Sequence, residues 1–376
     1  MSEFQPFVME HKMGKWEVEV DYNLSESGVH PVKLRDLLDN DPERISQMLD
    51  TELTYPQVNG TPEIRQHIAD MYEGAAPENV LVTVGAAEAN FIAASSLAEP
   101  GEGIAVMVPN YMQIWGIAKN RGLDVKTFHL DADNAWQLDI DSLREAVTPN
   151  TKVIAVCNPN NPTGRAMTEA EINTVIEVAD SVGAWIIADE VYAGAERLTN
   201  EPTRSLYGRY EKVVAIGSLS KAYGLPGLRI GWAVGPVDVL ESMWYRHDYA
   251  AITTSMLANQ LGALALQPDN RAKLLARTRG YIRDGYPVLE RWLKKHHNLF
   301  TVTPPDAAAI AIVRYNLDVN SLDLADRIRE DKSVLIVPGD HFHLPQHLRI
   351  SFGLPHEYLQ TGLDRIHEAM TEAASS

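Results

Sequence analysis

The stretch Ser218-Leu219-Ser220-Lys221-Ala222-Tyr223-Gly224-Leu225-Pro226-Gly227-Leu228-Arg229-Ile230-Gly231-Trp232 follows the apolar segment Lys212-Val213-Val214-Ala215-Ile216-Gly217. The apolar segment reads as a buried strand, and the glycines and proline behind it read as the loop at its end. A lysine just past a buried strand forms a Schiff base readily once its pKa is lowered. Two hydroxyls, Ser218 and Ser220, and the Arg229 guanidinium beside it suit a phosphate. Together they describe a holder for pyridoxal 5'-phosphate (PLP), whose aldehyde needs the lysine and whose phosphate needs the rest.

Working outward, short apolar runs alternate with helical patterns from about residue 60 to 235. Strands are expected at Asn79–Val84, Gly103–Val108, Val125–His129, Val153–Cys157, Ala184–Ala188, Val213–Ile216 and Ile230–Val234. They are apolar on both faces, as a sheet covered by helices requires. Thr168-Glu169-Ala170-Glu171 is a capping box opening a helix to about Val182. Thr61-Pro62 supplies a cap and a first-turn proline for another, to about Tyr72. Such alternation implies an α/β fold with a mostly parallel sheet. After Met256 the pattern changes. A helical stretch from Leu257 to about His297 is interrupted near Gln267–Asp269, shorter segments follow at Leu299–Thr303, Ala307–Tyr315, Val334–Val337 and Leu348–Phe352, and a helix covers Glu357–Ala374. This reads as a smaller α+β domain. The expected division is an N-terminal arm that joins the small domain (1–45), a large PLP-binding domain (46–275) and a C-terminal small domain (276–376).

In open α/β sheets ligands bind at the carboxyl ends of strands. Four polar clusters fall there: Gly85-Ala86-Ala87-Glu88, Asn158-Pro159-Asn160-Asn161-Pro162-Thr163-Gly164, Asp189-Glu190-Val191-Tyr192 and Ser218–Lys221. Four clusters on successive strand ends suggest one shared site. With these motifs, Asn-Pro-Thr-Gly, Asp-Glu-Val-Tyr and Ser-x-Ser-Lys with its arginine, the chain resembles the class I/II aminotransferases, the fold-type I PLP-dependent enzymes, from Asn23 to Phe352.

The resemblance implies roles by position. Lys221 carries the internal aldimine and shuttles the proton, Asp189 pairs with the pyridine nitrogen, and Asn161 and Tyr192 bond the ring 3'-oxygen. Tyr111 stacks on the ring. Ser218, Ser220, Arg229 and the backbone of Ala86 and Ala87 bind the phosphate. Tyr55 reaches the phosphate of a neighbouring subunit, which implies a homodimer with shared sites. Arg349 clamps the substrate α-carboxylate, with Gly28 and Asn161 beside it. The implied activity is transfer of an amino group from an L-amino acid to a 2-oxo acid by ping-pong kinetics.

Some positions depart from that pattern. Ser27-Gly28-Val29-His30 resembles the capreomycidine synthase-like branch, and a histidine here is similar to arginine oxidases of the same fold. A cyclase, lyase or replacement enzyme, or an oxidase of specialised metabolism, is therefore the alternative, although the retained Tyr192 is unlike those oxidases. His30 has two readings, a group facing substrate or a hydrogen-bonded structural histidine. His341, His343 and His347 lack a diagnostic metal spacing, and no metal is expected. Glu17, Glu26 and Asp248 are available to a cationic side chain, and Arg197 and Arg246 to an anionic one.

The remaining composition is ordinary. The 376 residues carry 51 acidic against 33 basic side chains, a net charge of -18, which argues against nucleic acid and anionic membrane as partners. The single cysteine, Cys157, permits no intramolecular disulfide. With no stretch approaching the ~18 apolar residues of a membrane span, a cytoplasmic enzyme of small molecules is expected.

Overall fold

The computed structural model describes residues 4–374. All seven expected strands are present, and they form one sheet. Its eight strands lie in the order Val80–Val84, Ile230–Val234, Val213–Ser218, Trp185–Asp189, Thr151–Cys157, Gly103–Val108, Asp124–Asp131 and Gln137–Leu138. The five strands from Val213–Ser218 to Asp124–Asp131 pair in parallel. Ile230–Val234 runs against both its neighbours, and the two-residue strand Gln137–Leu138 adds an antiparallel edge. The parallel strands are buried on both faces because helices cover them, which their unbroken Val, Ile and Ala content requires.

The capping box forms as expected. The Thr168 hydroxyl accepts from the Glu171 N–H, the Glu171 carboxylate accepts from the Thr168 N–H at 2.6 Å, and the helix runs Glu169–Val182 to a left-handed Gly183. Thr61 differs from expectation. It makes no side-chain cap; its own N–H donates to Asn259 Oδ1 instead, and the helix Pro62–Ala69 ends before Tyr72.

Beyond Met256 the helices Met256–Leu266 and Pro268–Lys295 break at Gln267, as the sequence indicated. A second sheet holds four antiparallel strands, Phe300–Val302, Ile310–Tyr315, His347–Ser351 and Val337–Pro338. The N-terminal segment attaches to this part. Tyr22–Asn23 pairs in parallel with Val334–Leu335, the Ser351 N–H donates to the Leu24 carbonyl, and the His30 N–H donates to the Gly353 carbonyl. The segment that carries Glu26 and Gly28 is thereby fixed to the strand that carries Arg349.

A candidate active site at the strand ends

The carboxyl ends of Val80–Val84, Thr151–Cys157, Trp185–Asp189 and Val213–Ser218 converge on a cavity of about 290 Å³. Its lining includes Ala86, Ala87, Tyr111, Asn161, Asp189, Tyr192, Ser218, Ser220, Lys221, Arg229 and Arg349, eleven side chains drawn from across the chain. A larger, more open cavity of about 1020 Å³ lies behind it and shares only Val191 and Ser218 with it. Most of the residues expected from sequence line the smaller one.

One end of the cavity is shaped for an anion. Gly85 opens the helix Gly85–Leu97 with φ +74, and a Cβ there would lie 2.4 Å from the Arg229 guanidinium. Only glycine lets Arg229 lie against that turn, where helix-terminal N–H groups are unpaired. Arg229 itself sits at φ 52, a conformation costing about 1–2 kcal/mol for a side-chain-bearing residue. Ser218 Oγ accepts from the Ser220 N–H at 3.2 Å and tightens the loop before Lys221.

The other end holds buried charge. Asp189 is 7% exposed and forms no ion pair among the described residues. Burial raises its pKa, opposed by the Asn90 amide, which donates at 2.9 Å, and by the Val191 N–H. The more distant Lys221 charge opposes that rise as well; a buried carboxylate with two neutral donors and no paired cation fits a protonated ring nitrogen. Tyr192 is buried, which raises its phenol pKa; Arg349 and a hydrogen bond with Ser27 oppose that rise. Arg349 is 2% exposed; Nη1 donates to Asn161 Oδ1 at 2.9 Å, Nη2 donates to the Ser25 carbonyl, and Nε has no partner among the described residues. Within Asn158–Asn161 the roles divide. Asn158 accepts from the Met167 N–H and Asn160 donates to the Pro109 carbonyl, so only Asn161 lines the cavity.

Lys221 Nζ lies 3.4 Å from Glu26 Oε2. The Lys221 charge holds the Glu26 carboxyl below its usual range, although burial opposes it. Gly28 packs on the same loop; a Cβ there would meet the Ser220 carbonyl at 3.5 Å and Lys221 Cδ at 3.7 Å.

Other expected residues lie elsewhere. Tyr55 is 82% exposed and does not line the cavity of its own chain. His30 is outside the cavity, its ring 6.1 Å from that of Tyr281. His343 packs edge-on to Trp115 and His347 to Trp136, while His341 faces the N-terminal helix. Arg197 donates to the Pro305 carbonyl and Arg246 to the Ser242 carbonyl, neither in the cavity.

Sequence reading missed two contributors. Asn90 lies three and four residues beyond Ala87 and Ala86, hence on their helix face, and a polar residue within an apolar helix was the available signal. The helix Val8–Trp16 brings Glu10 and Met13 into the cavity; Glu10 Oε1 accepts from the Tyr111 hydroxyl at 2.8 Å, and Phe7 packs edge-on to Tyr111 at 5.1 Å. Glu10, Met13 and Glu17 have the i, i+3, i+7 spacing of one helical face. Burial raises the Glu17 pKa, and Glu26 and Glu10 raise it further, so the three carboxylates share one field.

Fold and site together define a fold-type I PLP-dependent enzyme. The family model for class I and II aminotransferases matches residues 25–366, and the chain belongs to that family. Its cofactor is PLP, which when bound supplies an aldehyde carbon for an amine and a pyridinium ring that draws electrons from that carbon. The chain is 27% identical to capreomycidine synthase from Streptomyces vinaceus over 93% of its length and 89% of that protein's. A PLP-dependent aminotransferase from Streptococcus suis superposes with a TM-score of 0.92 at 28% identity, covering 98% of both chains. The PLP-dependent cyclase OrfR superposes with a TM-score of 0.89 at 26% identity, covering 100% of this chain and 99% of that one.

Proposed function

We propose that the protein is an aminotransferase, moving the amino group of an L-amino acid to a 2-oxo acid with ping-pong kinetics. The observation that carries this reading is one cavity holding Lys221, Asp189, Tyr192 and Arg349. Arg349 receives the α-carboxylate and thereby sets the α-carbon against Lys221, whose Nζ takes its proton and returns it. With the cofactor bound, Asp189 would pair with the pyridine nitrogen, Asn161 and Tyr192 would bond the ring oxygen, and Tyr111 would pack against the ring. Ala86, Ala87, Ser218, Ser220 and Arg229 hold the phosphate. Tyr55 serves the neighbouring subunit of a homodimer, and the enzyme works in the cytoplasm. Glu10 and Glu26, which line the cavity, and Glu17 in their field favour a donor with a cationic side chain, since among the described residues no arginine besides Arg229 and Arg349 lines the cavity to meet an acidic one.

The alternative, a cyclase, lyase or replacement enzyme, or an oxidase, is favoured by the similarity to capreomycidine synthase and OrfR. One experiment separates them. Holoprotein is mixed with single amino acids and its visible spectrum followed. Transamination bleaches the band with an amino donor, arginine or lysine ahead of aspartate, and a 2-oxo acid restores it. Oxygen uptake or ammonia release without a 2-oxo acid supports the alternative instead. Lys221→Ala removes the visible band and lowers turnover by about 10³-fold or more; a retained band sinks both readings.

A further inference from the structure

A buried hydrogen-bond chain outside the cavity connects its anion end to the loop that carries Tyr55. Glu88 follows Ala86 and Ala87 in the first turn of the helix Gly85–Leu97. Its Oε2 accepts from the Val84 N–H at 2.6 Å, and its Oε1 lies 2.8 Å from His247 Nδ1. His247, on the helix Val237–Ala250, is 0% exposed. Its Nε2 lies 3.2 Å from the carbonyl of Val58, three residues beyond Tyr55. The Val82 N–H, on the strand leading into Gly85, donates to the next carbonyl of that loop, Asn59.

Both ring nitrogens of His247 face acceptors. A neutral imidazole donates through one nitrogen only, so making both bonds places one further proton between Nδ1 and Oε1. The pair then carries no net charge. That matters because an unbalanced carboxylate one residue past Ala87 would repel a phosphate. It matters also because the chain fixes the height of the Tyr55 loop against the anion-binding turn, and losing one buried member leaves the others unpaired at high cost.

We propose that His247 is a positioning residue for phosphate binding: through Glu88 it neutralises and holds the anion-binding turn, and through Val58 it holds the loop that presents Tyr55 to the partner subunit's phosphate. The second half rests on the role proposed for Tyr55.

The test is titration of apoprotein with PLP, read by visible absorbance, on four variants and one double variant. His247→Leu raises the PLP dissociation constant roughly tenfold or more, as loss of a charge-assisted bond does. Tyr55→Phe also raises it, and His247→Leu with Tyr55→Phe is no weaker than the weaker single variant, because both act along one path. Glu88→Gln restores the chain with a neutral imidazole, since the amide oxygen accepts from Val84 and its NH₂ faces Nδ1; it stays close to the parent, whereas Glu88→Ala behaves like His247→Leu. Should His247→Leu not fold, His247→Asn takes its place. The inference is overturned if the His247 variants lose thermal stability with PLP affinity unchanged, or if the His247 and Tyr55 effects multiply. If Tyr55→Phe alone leaves affinity unchanged, the role of Tyr55 falls first, and the Val58 half of the inference falls with it.

Discussion

Asp189 and Glu190 are adjacent carboxyls, both buried, with different surroundings. Asp189 faces the strand-end cavity and has Asn90 and the Val191 N–H to hold its charge. Glu190 points to the opposite face, where the Leu206 N–H at 2.8 Å and Ser205 are its donors, and burial pushes it up to about 7. Folding therefore takes up a proton at Glu190 between its usual 4.5 and about 7. Its contribution to stability is complete below pH 4.5 and is lost as pH rises through about 7. Glu190→Gln, which keeps an acceptor for Leu206, is expected to flatten that slope and to gain stability over the parent at pH 8, on the order of 3 kcal/mol. Denaturant melts of both proteins at acid and alkaline pH check it; equal slopes refute it. At this scale legibility followed position in the fold. Asp189, Asn161 and Lys221 stand just beyond apolar runs and could be found from sequence. Asn90 and Glu10 stand on helices, where what a side chain meets depends on how the helix docks.

Among the elements, the helix Gly85–Leu97 and the strand Ile230–Val234 are in backbone contact. A Cβ on Gly231 would lie 2.3 Å from the Ala86 nitrogen and from the Gly85 carbon. No rotamer change relieves a clash between Cβ and backbone, so the turn itself must move. Gly231→Ala is expected to cost about 1–3 kcal/mol of stability and to weaken PLP binding together with it. Thermal melts of apoprotein and PLP titration read the two effects; a destabilised protein with parental PLP affinity would show that the turn tolerates the shift. Strands and their ends were legible because two-sided burial imposes an apolar run. The entry of the helix from Pro62 was not, since the Thr61 N–H is held by Asn259 from a distant helix and the Thr61 side chain makes no cap.

For the molecule as a whole, Leu49, Leu53, Tyr55, Tyr245, Tyr249 and Ile252 are all more than half exposed. They come from two segments joined where His247 and Thr253 meet the Val58 and Gln57 carbonyls. Large apolar side chains gathered in this way mark an association surface, and the proposed homodimer covers it. Leu53→Glu with Tyr249→Glu is expected to shift the sedimenting mass to that of one chain and to lower PLP affinity, because Tyr55 loses its target. An unchanged mass rules this surface out. The proposed division at residues 275 and 276 falls inside the continuous helix Pro268–Lys295, so the two parts would share one rigid beam.

The helix Val8–Trp16 contributes Glu10 and Met13 to the mouth of the cavity and none of the residues proposed to hold the cofactor. It is held to the rest of the chain by Met9 and Met13, both buried in the apolar core, and by Lys12 with Asp326 at 3.1 Å and Trp16 under Arg329. Under the roles proposed above, the choice of substrate is divided between this helix and Glu26, which lies 3.4 Å from Lys221. A change of the carboxylate at position 10 therefore reaches past the substrate to the side chain proposed to stack on the cofactor ring, because Glu10 Oε1 accepts from the Tyr111 hydroxyl.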